Sequence, residues 1–415
     1  MNAAGIDVSS RKSTVAVLRP FGEVVCLPFD VAHNSEALTS LAEHLKALDG
    51  ETRVVMEHTG RYYEPVAKAL HDAGLYVSAV NPLLIKEYGG NSLRRVKTDK
   101  ADAVKIARYA LDNWADLRDY TPMDTIRYDL KTLNRQFQLA TKQRIACANN
   151  LIALLEQSFP GVRKCFDSPV RSDGTQKWVD FVHSFWHVDC VRKLSLNAFS
   201  ERYRKWCKRH GYFFKQNNAD EIYSLAKNAV VLAAKSEITK VLVQEAANQL
   251  TSLSHSAEIY RGEMERLASM LPEYPVVMEM FGIGKSFGPQ LMAEIGDVRR
   301  FERKQALVAF AGIDPMPNQS GDKNVRSNKS SKRGSPYLRK TLFNVMGVYL
   351  KCAPADEPVY QFLDRKRSEG KPFYVYMTAA SNKFLRRYYA KVRDYLAALD
   401  NLPPVDMDST GLQQN

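Results

Sequence analysis

Four acidic residues in the first quarter of the chain stand where carboxylates do metal chemistry. Asp7 closes the first apolar run, Glu57 closes a later one, and Asp99 and Asp102 open a helical stretch. At i and i+3 of a helix two side chains share a face, with roughly 5–6 Å between their Cβ atoms. Carboxylates so grouped hold pairs of divalent ions about 3.5–4 Å apart, which activate a nucleophile and stabilise a leaving oxygen at phosphorus. Hard oxygen donors of this kind suit Mg²⁺ or Mn²⁺. Taken singly, each acid has a plainer reading. Asp99 and Asp102 read as a capping-box variant, and Asp7 before Ser-Ser reads as a turn acid. Taken together, four acids at strand ends and a helix start of one sheet fit a metal site better.

The surrounding composition is that of a soluble globular protein. The 415 residues are 45% hydrophobic and 25% charged, which suits two or three domains. No run of about 18 apolar residues offers a membrane span. Asp7 precedes any apolar stretch of the kind that a secretory signal carries. The six cysteines form no C-x-x-C pair, so neither a zinc ribbon nor a disulfide scaffold is expected, and a reducing cytosol is the default compartment.

The net charge of +13 is unevenly placed. Residues 1–120 carry 15 bases against 16 acids, whereas 299–340 carries 11 bases and only three acids. Within that basic stretch lie Lys323, Arg326, Lys329, Lys332, Arg333 and Arg339. A second patch interleaves Arg202, Arg204, Lys205, Lys208 and Arg209 with Tyr203 and Trp206, and a third runs from Lys383 to Lys391. Cations neutralise phosphates and aromatic faces stack bases, so this mixture suits nucleic acid. One such patch alone would equally be a solvated helix face. Three patches beside one near-neutral domain favour a polyanion partner.

The elements that must position these residues follow from periodicity. Ala3–Val8, Ser13–Leu18 and Glu23–Phe29 read as three strands too close together for parallel crossovers. A helix capped by Asn34 follows, with Leu38, Leu41 and Leu45 on one face. Then come a strand at Thr52–Glu57, a helix near Tyr62–Ala73, a strand at Leu75–Val80 and a helix from Asp99 to Leu111. Three antiparallel strands followed by alternating helix and strand is the order of a ribonuclease-H-like sheet. Heptad-like seams run from Ile126 to Leu154 and from Ile222 to Leu271, which argues for coiled coil or for two long helices packed within one chain. An irregular, basic and aromatic insertion (Trp178, Trp186, Trp206) occupies 160–220. The expected class is therefore multidomain α/β plus α. It divides into a catalytic domain at 1–120, a coiled-coil region at 121–272, a mainly helical domain at 273–400 and a disordered tail at 401–415.

Gly5-Ile-Asp7-Val-Ser, Val55-Met-Glu57-His-Thr-Gly60 and Arg95-Val-Lys-Thr-Asp99-Lys-Ala-Asp102-Ala resemble the Asp-Glu-Asp-Asp set of a family of insertion-sequence transposases. Its N-terminal domain is like that of a Holliday-junction resolvase (RuvC-like). The resemblance continues through Met280-Phe-Gly-Ile-Gly284, then Gly288 to Gly296, a helix–glycine turn–helix. Glycines there let backbone N–H groups approach a phosphate, which makes Gly282, Gly284 and Lys285 candidate contacts. Ser320-Gly321 and Lys332-Arg-Gly-Ser-Pro-Tyr-Leu-Arg339 match the family's Ser-Gly and its Arg-Gly-x-x-x-Leu-Arg.

The resemblance implies that Ser320 attacks DNA to form a phosphoserine link, with cations stabilising the phosphorane. Ser327, Ser330, Ser331 and Ser335 are its rivals. It further implies Mg²⁺ or Mn²⁺ at Asp7, Glu57, Asp99 and Asp102, and double-stranded donor and target DNA. A noncoding bridge RNA would serve as guide, leaving sequence readout to base pairing. Dimers would assemble into a tetramer with composite active sites, in a bacterial or archaeal cytosol. A DNA-only recombinase or invertase, a metal-dependent junction nuclease and a non-catalytic nucleic-acid scaffold are the competing readings.

Overall fold

The computed structural model describes residues 1–58, 62–88, 98–315, 319–320, 323–324 and 330–401, with backbone alone at 319–320 and 323–324. The expectations for Arg326, Lys329, Ser327 and the tail from 402 onward lie outside the described residues, as do the side chains of Ser320 and Lys323. The chain divides into two units, Met1–Met123 and Asp124–Asn415.

In the first unit β1 (Asn2–Val8), β2 (Lys12–Leu18) and β3 (Val24–Ala32) form an antiparallel meander. After α1 (Ser35–Lys46), β4 (Thr52–Glu57) pairs parallel with β1. After α2 (Tyr63–Asp72), β5 (Tyr76–Val80) pairs parallel with β4. The order β3-β2-β1-β4-β5 is the expected ribonuclease-H-like sheet. Asn34 caps α1 by accepting from the Ala37 amide at 2.8 Å, which satisfies one orphan donor of the first turn. A short helix that periodicity did not reveal, α3 (Pro82–Tyr88), follows β5, and α4 (Asp99–Asp112) completes the unit.

Both faces of the sheet are covered. Ile6, Val15, Val17, Val54 and Met56 pack against Leu41, Leu45, Val66 and Leu70. On the opposite face Ala3, Leu18 and Val55 meet Ile85, Ile106, Ala107 and Ala110. Strands covered on both sides read as nearly continuous apolar runs, as β1, β2 and β4 do.

The second unit is helical. α5 (Thr125–Ser158) carries the first heptad seam and ends in a core of its own. Short helices α6 (Lys177–Ser184) and α7 (Asp189–Arg192), then α8 (Leu196–Arg209) and α9 (Gln216–Asn228), fill the region read from sequence as irregular. They close around Phe159, Phe181, Phe185, Phe199, Tyr203 and Trp206. α10 (Glu237–Ser269) returns along α5. Leu151 and Leu155 share a core with Val243 and Leu250, while Leu130 shares another with Met264 and Leu267, so the two helices run antiparallel within one chain.

The expected continuous seam from Ile222 to Leu271 is interrupted. Helix α9 stops at Asn228, Ala229 is extended, and Ser236 starts α10 as its N-cap, accepting from the Thr239 amide at 3.2 Å. The β-branched and apolar stretch Val230-Val231-Leu232 lowers helix propensity between them, and Ser236 is a cap rather than a seam residue.

The rest of the unit is α11 (Tyr274–Met278), α12 (Phe287–Ile295), α13 (Lys304–Ala311), a hairpin of β6 (Gln319–Ser320) and β7 (Lys323–Asn324), then α14 (Pro336–Cys352), α15 (Pro358–Ser368) and α16 (Phe373–Asp400). Its core gathers Leu291, Val308, Leu338, Leu342, Val345, Phe384 and Tyr388. No helix among the described residues is long and apolar enough to cross a membrane.

Candidate active site

The carboxylates are set by strand register and by one glycine. Asp7 lies opposite Thr14, and Thr14 lies opposite Asp30. Residues directly across a sheet share a face. β4 pairs with β1 through Gly5–Val55 and Ile6–Met56, so Glu57, one residue further along, falls beside Asp7. Gly5, two residues before Asp7, is on the same face. A Cβ there would stand 2.2 Å from the Ala103 carbonyl oxygen and 2.3 Å from the Ala107 nitrogen. Helix α4 therefore rests directly on β1, and its first turn brings Asp102 to the end of the strand. Thr98 caps that turn by accepting from the Ala101 amide at 3.2 Å, so neither aspartate serves as the N-cap.

Three of the four acids act on one another. Half-burial pushes the Glu57 carboxyl above its ordinary range, and the negative charges of Asp7 and then Asp102 push it further; Lys105 opposes them. The charge of Asp99 instead reaches Lys12, at the start of β2. Lys12 in turn pairs with Asp30 at 2.6 Å, and Asp30 also accepts from the Thr14 hydroxyl at 2.8 Å. Among the described residues no three such side chains converge tightly enough to hold a metal ion as they stand. The donor types nevertheless fit a divalent cation, because all are hard carboxylate oxygens and the charges of Asp7 and Asp102 both reach Glu57. Asp30, a fifth acid in the same row, was missed in the sequence because nothing in its spacing marks it.

Ser320 lies on β6, in the segment between α13 and α14. At the base of this arm the Ser335 amide donates to the Phe310 carbonyl at 2.9 Å and the Lys332 amide to Gly312 at 3.0 Å. The Ser331 amide donates to Asp314 at 3.0 Å, and Pro315 bridges Ser330. Further out Gln319 pairs with Asn324 and Ser320 with Lys323, with only two residues of sequence between that last pair. Two rival serines hold structural posts. Ser331 Oγ donates to Asp314 at 2.5 Å, and Ser335 caps α14 while donating to Glu294 at 2.8 Å.

Several expected nucleic-acid contacts are placed differently. Arg202, Arg204, Lys205, Lys208 and Arg209 are exposed on α8, but Tyr203 and Trp206 between them are buried. The spacing is that of an amphipathic helix, so the aromatic rings serve the core rather than stack bases. The third patch repeats this, with Phe384, Tyr388 and Tyr389 buried on α16. Lys332 and Arg333 are exposed at the foot of the arm. Arg339 has its Nη1 donating to the carbonyls of Ala311 and Gly334 at 3.0 and 2.9 Å, which gives it backbone partners in place of a phosphate. Gly282 adopts φ +77, and a Cβ on it would press on Tyr349 at 3.0 Å, so packing already requires a glycine there. Gly284 is open to solvent, and Lys285 pairs with Glu265 at 2.8 Å.

A buried polar hub also escaped the sequence reading. Glu294 on α12 accepts from Asn134 at 2.7 Å and Arg135 at 3.0 Å, both on α5, as well as from Ser335. Gln290, one turn earlier, accepts from Gln138 at 2.7 Å. Polar residues at i and i+4 in the otherwise apolar Gly288–Gly296 run were the available signal.

Residues 4–160 match a DEDD transposase model of IS110 type, and residues 274–361 match a model described as transposase, IS116/IS110/IS902 family. A pilin gene-inverting protein of Moraxella lacunata is 23% identical over 345 residues, covering 82% of this chain and 80% of its own length. An uncharacterised 44.8 kDa protein of insertion element IS116 from Streptomyces clavuligerus is 23% identical over 376 residues, 88% of each chain. Among solved structures, T. thermophilus RuvC in complex with a Holliday junction substrate aligns with 28% of this chain and 96% of its own, at 17% identity and a TM-score of 0.23.

Proposed function

We propose that this chain, which by its two matched domains belongs to the IS116/IS110/IS902 transposase family, cuts and rejoins DNA through a covalent link to Ser320. Members of this family are transposases and recombinases, enzymes that act on DNA. The observation that carries the reading is the action of Asp7 and Asp102 on Glu57 where α4 seats on Gly5, in a chain that also pairs Ser320 with Lys323 in a two-stranded hairpin.

In the proposed step the Ser320 hydroxyl gives up its proton and its oxygen forms a bond to phosphorus. The bond from phosphorus to one sugar oxygen breaks, and that oxygen leaves as a hydroxyl after taking a proton. Attack by the hydroxyl of another strand reverses the step, restoring a phosphodiester and the free serine. One phosphodiester is exchanged for another, so no external energy source is needed. A divalent ion bound by Asp7, Glu57, Asp102 and Asp99 would supply charge stabilisation to the phosphate oxygens. Lys105 and Lys12 flank those acids, and the exposed bases of α8 with Lys332 and Arg333 would hold nucleic-acid backbone.

The finer reading is a recombinase guided by a bridge RNA, working in the cytosol as dimers paired into a tetramer. Each active site would then join the acids of one protomer to the serine of another. A second reading is a DNA-only recombinase or invertase, its inverting activity in line with the name of the Moraxella relative, a pilin gene-inverting protein. Expression with native flanking DNA, purification without nuclease and sequencing of retained RNA separates the two. One dominant RNA encoded beside the gene, with loops matching its insertion junctions, supports guidance. Mixed cellular RNA or none supports the DNA-only reading.

A further inference from the structure

The two strands of the serine arm press together at its base through glycines. Gly312 has φ +65, and a Cβ on it would stand 2.7 Å from both the Gly334 nitrogen and the Arg339 Nη1. A Cβ on Gly334 would stand 1.9 Å from the Phe310 carbonyl oxygen. Arg339 lies against this junction. One nitrogen of its guanidinium reaches both sides, donating to Ala311 in the last turn of α13 and to Gly334 at the entry to α14. The carbonyls of a helix's last turn have no partner within the helix, so the Ala311 bond satisfies an acceptor that would otherwise stand open. Burial lowers the proton affinity of Arg339, yet a guanidinium stays charged in proteins.

We propose that Arg339 is a positioning residue for strand cleavage: it fixes the angle at which the arm leaves the helical core and so fixes where Ser320 is presented. Beyond this junction the described backbone pairs Pro315 with Ser330, Gln319 with Asn324 and Ser320 with Lys323, so the junction sets the course on which the chain runs toward Ser320. The Ser335–Glu294 bond holds the neighbouring helix start from the other side. The spacing of Arg339 five residues after Gly334 lets one side chain span the junction, which accounts for an arginine there without any contact to DNA.

The inference rests on Ser320 being the nucleophile, so two readouts are needed. The first uses the full-length protein with its co-purified RNA and a double-stranded fragment of the native flanking DNA. Arg339→Ala should lower the yield of protein–DNA adduct about 100-fold, as a displacement near 1 Å does, with fragment affinity changed less than about threefold. Arg339→Lys, which keeps a cation with several donors, should recover the adduct to within about tenfold of wild type. An unchanged adduct would overturn the proposal. So would a loss of affinity in step with the adduct, which would make Arg339 a phosphate contact. The second readout is hydrogen exchange on the protein alone, independent of the chemistry. In Arg339→Ala the amides of Ser331, Lys332 and Ser335 should lose protection while those of α5 and α10 keep theirs. Unchanged exchange at the arm's base contradicts the proposal even if wild type forms no adduct at Ser320, a result that by itself would sink only the assignment of the nucleophile.

Discussion

Gly5 and Ala103 are in backbone contact: the space that a Cβ on Gly5 would occupy lies 2.2 Å from the Ala103 carbonyl oxygen. That contact, more than the acids themselves, decides where Asp102 stands relative to Asp7 and Glu57. A single methyl group at position 5 must push α4 away from the sheet. Gly5→Ala should cost about 1–3 kcal/mol of stability by overpacking and weaken Mn²⁺ binding. Thermal unfolding and calorimetric titration read the two effects. Wild-type metal affinity in a destabilised Gly5→Ala protein would show that the helix seating does not set the site.

Glu57 carries the charge conflict of the site. Burial, and then the charges of Asp7 and Asp102, raise its proton affinity, so the ionised carboxylate is less welcome folded than unfolded. Removing that charge by Glu57→Gln should therefore leave the metal-free protein as stable or more so, by on the order of 0.5 kcal/mol after solvent screening. The same substitution should abolish metal binding, a trade of function for stability. A loss of stability measured in the presence of a chelator would contradict this.

Asp99 and Asp102 should not behave alike. Asp102 acts on Glu57, whereas Asp99 acts on Lys12. In calorimetric titration with Mg²⁺ or Mn²⁺, Asp102→Asn should remove the binding heat and Asp99→Asn should reduce it by a smaller factor. Equal losses would place both aspartates at the same ion.

The α8 surface separates charge from packing. Lys205→Glu with Arg209→Glu changes two exposed bases. It should leave the unfolding midpoint unchanged and lower the salt dependence of nucleic-acid binding by about one unit for each phosphate no longer neutralised. Trp206→Ala should instead cost about 3–5 kcal/mol, because its ring is buried. Tight nucleic-acid binding that fails in a still-folded Trp206→Ala protein would restore the stacking role that its burial argues against.

Much of the first unit was legible because its signals are local. Asn34 caps α1, Asp7 and Glu57 fall in the last two residues of their strands, and the meander precedes alternating helix and strand, all within short windows of sequence. What escaped depends on contacts between distant segments. The hold of Glu294 on Asn134 joins residues 160 apart, and no periodicity reports it. The seam through Ile222 misread Ser236 because a heptad count is blind to a capping residue at a permitted position. The interleaved bases and aromatics of α8 were read by composition, whereas a helical wheel separates them into an outer charged face and an inner aromatic one.

The most direct test of the central claim is the chemical identity of the bond between protein and DNA. The protein, with the RNA it retains, would be incubated with Mg²⁺ and a labelled fragment of its native flanking DNA, then denatured, digested and analysed by mass spectrometry. A nucleotide joined through phosphate to Ser320 is the expected product, and Ser320→Ala should give no adduct. Cleavage that persists in Ser320→Ala and yields free phosphate ends would mean that water is the nucleophile and that the protein is a metal-dependent nuclease.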